Sequence, residues 1–535
     1  MNPPELALAP EKKDYLVALV LAVLALAVYV RTLAPDILYA DSAEFQCLSY
    51  TLGITHSTGY PTYLLLGRLI GFLPIHSPAW RINLLSAVCA AATVSGVYLL
   101  ARDFTRSRIG AALGGVALGI SYTFWSQAVI AEVYTPGLAF LVTIMLLLFH
   151  WQSDPVNRSR FLLAAALIAG IGFGVHASVW LLGPPALALV LWTLWIRRLS
   201  HSEWLRSLSA GSVGAILGLG MCLAAFLISD WLNPPTSFIR TTLEPSRVFW
   251  DLQPGDFGSP FRHLKMTVFS RQWGDSLFPK EDEFSFKKEL ERFGGQVTGT
   301  EFPPLLLLFV LIGLIVMLIN RPSAGAFYIV LFLFSALLIL NYQVGDKPVF
   351  YLSLYIPLAV AAGAGMGFVL DWIHRYLAPV PNPGLQLLYL LPVLFFVTLV
   401  VQPTWTARWQ AVRSGVADFV TEDYPFPVRD LAEPRSIAQM RLAGAADNAV
   451  FVLDWRGLYA TAYLAHVEKS LTGTLFLEAM PSGHDGKVAS TLIPQLKGYL
   501  EEGRPVYADQ RFPGLVEHFR LLPAQGDLYQ LTLRQ

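Results

Sequence analysis

Long apolar runs alternate with short polar segments along most of the chain, up to about residue 402. A helix needs about 20 predominantly apolar residues to cross the hydrocarbon core of a bilayer. The stretch 161–196 is too long for one crossing, and Gly174, His176 and Gly183-Pro184-Pro185 provide breaks, so it is divided in two. The pattern then predicts about eleven spans, at 15–30, 82–101, 109–131, 133–149, 161–178, 180–196, 207–229, 302–320, 323–343, 348–370 and 384–402.

One further apolar segment is predicted not to cross the membrane. Residues 60–75 carry Arg68 and are bounded by Pro61 and Pro74. A short apolar helix with a cation suits the membrane interface, where its polar atoms reach the headgroups. We therefore predict an interfacial or partly re-entrant helix here.

The loops between the spans separate by charge. One set is rich in arginine, and short loops rich in Lys and Arg stay on the cytoplasmic side. We therefore predict a cytoplasmic N-terminus and an extracytoplasmic position for the first outer loop (32–80), the long loop (231–301) and the tail. The loops on that outer side hold the acids Asp36, Asp41, Glu44, Glu132 and Asp346.

The tail has a different pattern, in which short apolar runs alternate with helical ones. That order predicts a small α/β domain with a partly parallel sheet. No Gly-rich phosphate-binding motif precedes either helix, so no nucleotide is assigned, and a docking or structural role is expected. The predicted strands are 449–454, 474–478, 505–508 and 528–533, and the helices are 456–469 and 487–502.

The predicted fold class is thus an all-α polytopic membrane protein with a small C-terminal extracytoplasmic α/β domain. The membrane domain is assigned to residues 1–402 and the α/β domain to 403–535. Lys12 and Lys13 precede the first apolar run without a clear small-residue cleavage site, so the first span is expected to remain as an anchor.

Composition supports this class and excludes others. The 535 residues are 54% hydrophobic and only 14% charged, whereas soluble domains carry about 25% charged residues; the mean hydropathy is +0.51. Lys+Arg 38 against Asp+Glu 38 leaves no net charge, so no nucleic-acid partner is expected. The three cysteines offer no metal-ligand spacing and no disulfide framework.

The acids just after the first span carry the clearest chemical signal. Ionisable groups at the edge of a bilayer are costly and mark functional sites by default. Asp41 and Glu44 share one face if a helix begins here. The alternative is structural: Asp41 as N-cap and Glu44 as the third residue of a capping box. The two residues alone leave both interpretations open.

The wider set of motifs resembles the plexin-type (transmembrane protein 260-like) protein O-mannosyltransferases and their bacterial relatives, the "domain of unknown function 2723" type. These belong to the GT-C class of polytopic glycosyltransferases, and the resemblance covers about 15–370. Two details depart from the family: Ser57-Thr58 stands where Pro-Pro is usual, and Val175 stands where Asn precedes His176. The motifs are DSAEF (41–45), GITHSTGYPTYLLLGRL (53–69), SYTFWSQA (121–128), AEVY (131–134), and Asn341-Tyr342 with Asp346 and Phe350-Tyr351.

The resemblance implies an enzyme that takes a sugar from a polyprenyl-phosphate carrier and transfers it on the non-cytoplasmic face. The sugar is expected to be mannose or another hexose, and the acceptor a Ser or Thr hydroxyl of an exported protein. The expected location is a bacterial inner or plasma membrane, with membrane lipid as a further partner.

Transfer of this kind needs a base for the acceptor hydroxyl and stabilisation of the leaving phosphate. The resemblance places the base in the first outer loop, so Asp41 is predicted as the general base or as a carboxylate that orients the acceptor, with Glu44 beside it. His56 could bind phosphate or acceptor, or only the loop backbone. Substrate-binding roles are further predicted for Tyr60, Trp125, Glu132, Tyr134, Asp346 and His176. The alternative for the two acids is a solvated carboxylate in a tight turn, and the alternative for His176 is a packing role.

The long outer loop contains cationic residues that could stabilise the leaving phosphate. Arg262 and Arg271 are predicted for this role because Arg forks match phosphate oxygens. Nonspecific attraction to anionic lipid is the alternative. No Asp-x-Asp spacing appears, so neither a metal nor any other cofactor is predicted beyond the donor itself.

Three other functions are alternatives to protein glycosylation. An enzyme of the same fold could glycosylate a lipid or a cell-wall glycan. A transporter or flippase would place ionisable groups near the bilayer midplane, often in two matching halves, and this chain shows neither feature. A membrane anchor for the tail would leave the acids at the outer ends of the spans without a purpose.

Overall fold

The computed structural model describes residues 10–268, 276–279, 285–377, 379, 382–407, 432–481 and 488–534. Arg271, one of the two arginines predicted to bind phosphate, lies outside these ranges.

The first part of the chain is a bundle of long apolar helices. Each is 19 residues or longer, enough to cross a bilayer. Eight such helices lie in the described ranges: Lys12–Thr32, Pro78–Arg102, Tyr134–Ser153, Ser178–Ile196 (with a break between Ser178–Leu181 and Gly183–Ile196), His201–Leu232, Pro322–Leu340, Leu352–Leu377 and Leu387–Ala407.

Two further candidate spans each consist of two helices joined at a sharp bend. Arg108–Ile120 continues into Tyr122–Ala128 at an angle of 70°, and Phe286–Glu301 meets Pro304–Asn320 at 108°. With the shorter apolar helix Ser159–Gly172, each of the eleven predicted spans has its counterpart among the described residues. The predicted fold class, a polytopic helical membrane protein with a small C-terminal sheet, is confirmed.

The short helix Ser159–Gly172 packs directly against His201–Leu232, because glycines let the two backbones touch. A Cβ on Gly214 would lie 2.2 Å from the carbonyl oxygen of Leu163, and one on Gly218 would lie 2.2 Å from that of Leu167. Small residues at such crossings are the usual basis of helix association in membranes.

Short elements close the end of the bundle that carries the first outer loop. The segment predicted to be interfacial forms Pro61–Gly71, and its 11 residues are too few to cross a bilayer. The other short elements are Ala40–Thr51, Ile239–Leu243, Arg247–Trp250, Pro254–Phe257, Pro260–Val268, Phe286–Gln296, Val297–Glu301 and Lys347–Phe350. The last span begins with Pro383–Gln386, Leu387–Leu390, Leu391–Phe396 and Val397–Val401.

The opposite end of the bundle is held by buried ion pairs. Asp14 accepts hydrogen bonds from Arg102 at 2.9 Å and from Arg108 at 2.8 Å. Arg321 pairs with Asp103 at 3.0 Å. Removing one partner of such a pair costs about 3–5 kcal/mol, because the other charge is left buried. These arginines belong to the loops predicted to be cytoplasmic.

The described part of the tail contains a five-stranded mixed sheet, whose strands are β1 Val450–Leu453, β2 Leu475–Glu478, β3 Val506–Ala508, β4 Phe519–Pro523 and β5 Tyr529–Leu533. Their order is β2-β1-β3-β5-β4. The neighbours β2, β1 and β3 are parallel to one another, and β5 runs antiparallel to both β3 and β4. The sequence pattern did not predict β4. The helices of the tail are Glu433–Leu442, Trp455–Tyr463, Leu464–Glu468, Leu492–Glu501 and Pro513–His518.

The tail packs against the helix Ala40–Thr51 of the first outer loop. Phe45 and Leu48 from this helix and Tyr459 and Tyr463 from the tail are fully buried in one hydrophobic cluster. Each such side chain contributes about 1.5–3 kcal/mol when it leaves water. The carboxyl ends of the parallel strands therefore lie beside the segment that carries Asp41. The division of the chain at residue 402 stays a prediction.

Candidate active site

A cavity of about 400 Å³ lies where the first outer loop, the loop before Lys347–Phe350 and the tail meet. Of the residues predicted from the sequence, the structure brings five to its wall: Asp41, His56, Tyr60, Tyr134 and Asp346.

Asp41 occupies the second position of the helix Ala40–Thr51. The N-cap is Tyr39, which makes no side-chain capping bond, so the alternative interpretation of Asp41 as an N-cap does not describe this helix. The Asp41 side chain is 38% exposed, and its Oδ1 accepts a hydrogen bond from Nε1 of Trp455 at 2.9 Å. A partly exposed carboxylate at a cavity wall is available to a substrate.

Glu44 lies one turn further along the helix, behind Asp41. Its side chain is 0% exposed and does not line the cavity. Its two oxygens contact His56, one accepting from the backbone N–H at 2.9 Å and the other lying 2.5 Å from Nδ1. The other ring nitrogen of His56 lies 3.8 Å from Oδ2 of Asp41. Glu44, predicted as catalytic, is therefore placed to orient His56 rather than to touch a substrate.

This arrangement determines the charge of His56. Burial lowers the pKa of His56, but the carboxylates of Glu44 and Asp41 outweigh that effect and raise it to about 10. At neutral pH the ring is therefore an imidazolium. Among the described residues that line the cavity, it is the one cationic side chain.

The loop that carries His56 is shaped by its turn residues. The N–H of Gly59 donates to the carbonyl of His56 at 2.8 Å, with φ +84° at Gly59, a conformation that favours glycine. Tyr60 precedes Pro61, the first residue of the next helix. The rings of Tyr60 and His56 meet edge to face with centroids 5.4 Å apart. The turn thus presents both rings to one cavity.

A second carboxylate comes from the loop between two later spans. Tyr134 donates a hydrogen bond to Oδ2 of Asp346 at 2.7 Å. Burial raises the pKa of Asp346, and the charge of Asp41 adds to this effect. Phe350 packs edge to face on Tyr134. This side of the cavity therefore combines aromatic rings with carboxylate oxygens that can accept hydrogen bonds.

Glu132 and His176 lie behind this wall. Glu132 is buried near Ser42, whose hydroxyl donates to its carboxylate at 3.4 Å, and burial raises the pKa of Glu132 well above its usual value. His176 packs edge to face on Tyr134, and its Nδ1 accepts from the N–H of Ser178 at 3.2 Å. Neither side chain lines the cavity. The contacts of His176 agree with the alternative interpretation, in which this residue packs inside the protein.

The structure does not bring Trp125 or Arg262 to the cavity. Trp125 is fully buried in the bundle, where its indole N–H donates to Thr32 at 3.0 Å. Arg262 lies exposed on the long loop, with its guanidinium 3.4 Å from the carboxylate of Asp256. The predicted roles of these two residues at the site therefore need correction: one packs in the bundle, and the other pairs locally.

Two residues of the tail, which the sequence pattern did not predict, also form part of the cavity wall. Trp455 follows β1, and Glu478 ends β2. Glu478 is buried and accepts a hydrogen bond from Thr242 at 2.8 Å, and burial raises its pKa to about 7. Ligand sites of parallel sheets lie at the carboxyl ends of the strands, so the position of Glu478 at the end of a predicted strand was a usable signal.

Within the described ranges, no group of three or more His, Cys, Asp or Glu side chains is arranged to hold a metal ion. The absence of a metal requirement stays a prediction.

Sequence comparison matches part of the chain to a known family. Residues 41–200 match the family described as "Protein O-mannosyl-transferase TMEM260 N-terminal domain". The curated Protein O-mannosyl-transferase TMEM260 of Mus musculus is 26% identical over 217 residues, which are 40% of this chain and 29% of the mouse protein. The chain thus matches less than a third of that relative. The match begins at Asp41 and includes the motifs up to Tyr134, so it supports the O-mannosyltransferase-like resemblance.

Structural comparison gives the fold. Crystal structures of ArnT from Cupriavidus metallidurans, in the apo state and bound to undecaprenyl phosphate, align with TM-scores of 0.57 and 0.55 at 12% and 13% identity. Each alignment covers 97% of this chain and 98% of ArnT. An Archaeoglobus fulgidus oligosaccharyltransferase tethered with an acceptor peptide aligns with a TM-score of 0.54 at 12% identity, over 98% of this chain and 74% of that one. The chain has the GT-C fold of an integral membrane protein.

Proposed function

We propose that this protein is a membrane glycosyltransferase that moves a sugar from a polyprenyl-phosphate carrier to an acceptor hydroxyl. The proposed sugar is mannose or another hexose, and the proposed acceptor is a Ser or Thr of an exported protein. The reaction is assigned to the non-cytoplasmic face of a bacterial inner or plasma membrane. The observation that carries this proposal is the partly exposed carboxylate of Asp41, in a cavity at the end of a GT-C bundle. The family match over residues 41–200 supports it.

In the proposed reaction, Asp41 takes the proton of the acceptor hydroxyl. The hydroxyl oxygen forms a bond with the anomeric carbon, the bond from that carbon to the phosphate oxygen breaks, and the phosphate leaves with the electron pair. Oδ2 of Asp41 is the oxygen suited to this step, because Oδ1 already accepts from Trp455. A positioned base of this kind contributes about 10²–10⁴-fold to the rate.

His56 is proposed to stabilise negative charge during the same step. Its imidazolium is held on Glu44 through one ring nitrogen, and the other nitrogen lies near Asp41 at the cavity wall. A fixed charge directed at the reacting groups needs no reorganisation when the phosphate leaves. Glu44 prevents the ring from turning away.

The opposite wall is proposed to hold the sugar. Asp346 offers carboxylate oxygens to sugar hydroxyls, and Tyr134, Tyr342 and Phe350 provide ring surfaces around it. The carboxylates of Asp41 and Asp346 make this part of the cavity unfavourable for an anionic sugar. A neutral hexose fits this charge pattern.

The test uses purified protein in liposomes that contain a panel of polyprenyl-phosphate sugars. The readouts are consumption of the donor and transfer to Ser/Thr peptides or to glycolipids. Asp41→Asn should reduce transfer at least 100-fold, whereas Glu291→Gln, which changes an exposed acid on the helix Phe286–Gln296, should retain it. If the wild type consumes no donor, the proposal is refuted. If it transfers sugar only to glycolipids, the acceptor is a lipid and not an exported protein.

A further inference from the structure

The indole of Trp455 reaches Asp41 from a rigid position. Trp455 is the first residue of the helix Trp455–Tyr463, directly after β1, and the side chain of Asp454 caps that helix by accepting from the N–H of Gly457 at 3.1 Å. A residue between a buried strand and a capped helix has little backbone freedom. Its Nε1 therefore has a defined direction, toward Oδ1 of Asp41 at 2.9 Å.

Three rings fix the indole itself. Trp455 packs edge to face on His56, on Phe238 and on Tyr459, with centroid distances of 5.9, 5.9 and 5.3 Å. The contact with His56 links Trp455 to the imidazolium that Glu44 holds. Since these rings come from the first outer loop, the long loop and the tail, the indole is enclosed by all three segments.

The hydrogen bond selects one orientation of the carboxylate. An aspartate carboxylate can rotate about its last side-chain bond, and this torsion is broad. A single donor at Oδ1 fixes the plane of the group and directs Oδ2 toward the cavity and His56, 3.8 Å away. Supporting groups of this kind must hold a reacting side chain within about 0.5 Å of its productive position.

We infer that Trp455 is a positioning residue for Asp41, so that the C-terminal unit completes the active site and does not only dock against it. The inference rests on the proposed function, because it assigns Trp455 to the same reaction. The sequence distance between donor and acceptor is 414 residues. The tail thereby acquires a role in catalysis beyond the structural one that its pattern suggested.

The experiment compares two matched variants in the liposome assay. Trp455→Phe keeps a ring but removes the N–H donor, and it should lower kcat about 10–100-fold with KM for the donor changed less than twofold. Tyr463→Phe removes one hydroxyl from the same helix, where that hydroxyl accepts from the N–H of Ala79 at 2.9 Å and donates to Glu468 at 3.0 Å, and does not bond Asp41. It should leave kcat within twofold of the wild type.

The outcomes separate the two proposals. A wild type that consumes no donor refutes the proposed function. An active wild type whose Trp455→Phe variant keeps kcat refutes the positioning role, and so does an equal loss in Tyr463→Phe, because that result would indicate general loosening of the tail. If thermal unfolding shows that Trp455→Phe does not fold, Trp455→His and Trp455→Leu replace it. The Trp455→His variant, which retains a ring N–H, should then have a higher kcat than Trp455→Leu. Equal kcat values in these two variants would overturn the inference.

Discussion

At the scale of single residues, the site depends on two carboxylates that share one histidine. Glu44 is buried and Asp41 is partly exposed, although the two lie only three positions apart on the helix Ala40–Thr51. The same functional group therefore occupies two different environments: the carboxylate of Glu44 contacts His56, and that of Asp41 faces the cavity. The sequence spacing predicted that they share a face, but it could not show which of the two reaches solvent.

The ion pair with Glu44 gives a pH-dependent contribution to stability. The pKa of His56 is about 10 in the folded protein and about 6.5 in a model peptide. Because the folded value is raised, the stabilisation is fully present below pH 6.5 and is lost as the pH rises through 10. His56→Gln should therefore lower the melting temperature most at pH 6 and progressively less toward pH 10. Thermal unfolding across this range measures the difference, and a pH-independent difference would contradict the assignment.

For Glu478, removal of the charge should raise the melting temperature, whereas removal of His56 should lower it. Burial raises its pKa from 4.5 to about 7, so the folded state favours the protonated form. This contribution is present below pH 4.5 and is lost as the pH rises through 7. Glu478→Gln should match the wild type near pH 5 and melt at a higher temperature at pH 8. Glu517→Gln, at an exposed position, is the control and should show no such crossover.

At the scale of elements, the apolar runs predicted the spans well because length and hydropathy define a crossing helix. They did not predict which way each helix faces. Trp125 stands in a motif with polar neighbours, which suggested a sugar site, yet its indole is turned into the bundle toward Thr32. Trp125 lies in the short helix that follows the 70° bend after Ile120, and the local sequence pattern did not predict this bend.

The glycine crossing of Ser159–Gly172 and His201–Leu232 can be tested directly. Gly218→Ala would place a Cβ 2.2 Å from the backbone oxygen of Leu167, so the helices must separate, and we expect a clear loss of thermal stability. At Gly220 nothing lies within 4 Å, so Gly220→Ala should be neutral or stabilising by up to about 1 kcal/mol. Unfolding of the two purified variants gives the comparison, and equal melting temperatures would contradict direct backbone contact.

At the scale of the whole molecule, the cavity is formed by segments that are distant in sequence. Asp41, Asp346 and Glu478 come from the first outer loop, a late loop and the tail. The sequence motifs identified the first two as candidate site residues, and the family resemblance assigned them roles in sugar transfer. The contributions of Trp455 and Glu478 depend on how the tail packs, which is a tertiary property that a single sequence pattern does not contain.

The packing of the tail should depend on apolar contacts more than on charge. Arg435 pairs with Asp36 and with Glu468, but these groups are partly exposed, and exposed pairs contribute about 0–1 kcal/mol. Leu458 is fully buried in the shared cluster, and Leu→Ala in a core costs about 2–5 kcal/mol. Leu458→Ala should therefore increase hydrogen exchange in Ala40–Thr51 far more than Arg435→Gln does. The reverse order would show that charge dominates the interface.

The hydrogen bond between Trp455 and Asp41 also has a consequence for biosynthesis. A ribosome makes Asp41 414 residues before the indole that orients it. During that interval the nascent protein has its first outer loop but lacks the groups that complete the cavity. A chain that stops before Trp455 should therefore be inactive, and turnover should begin only after the segment that carries the indole has been made and folded.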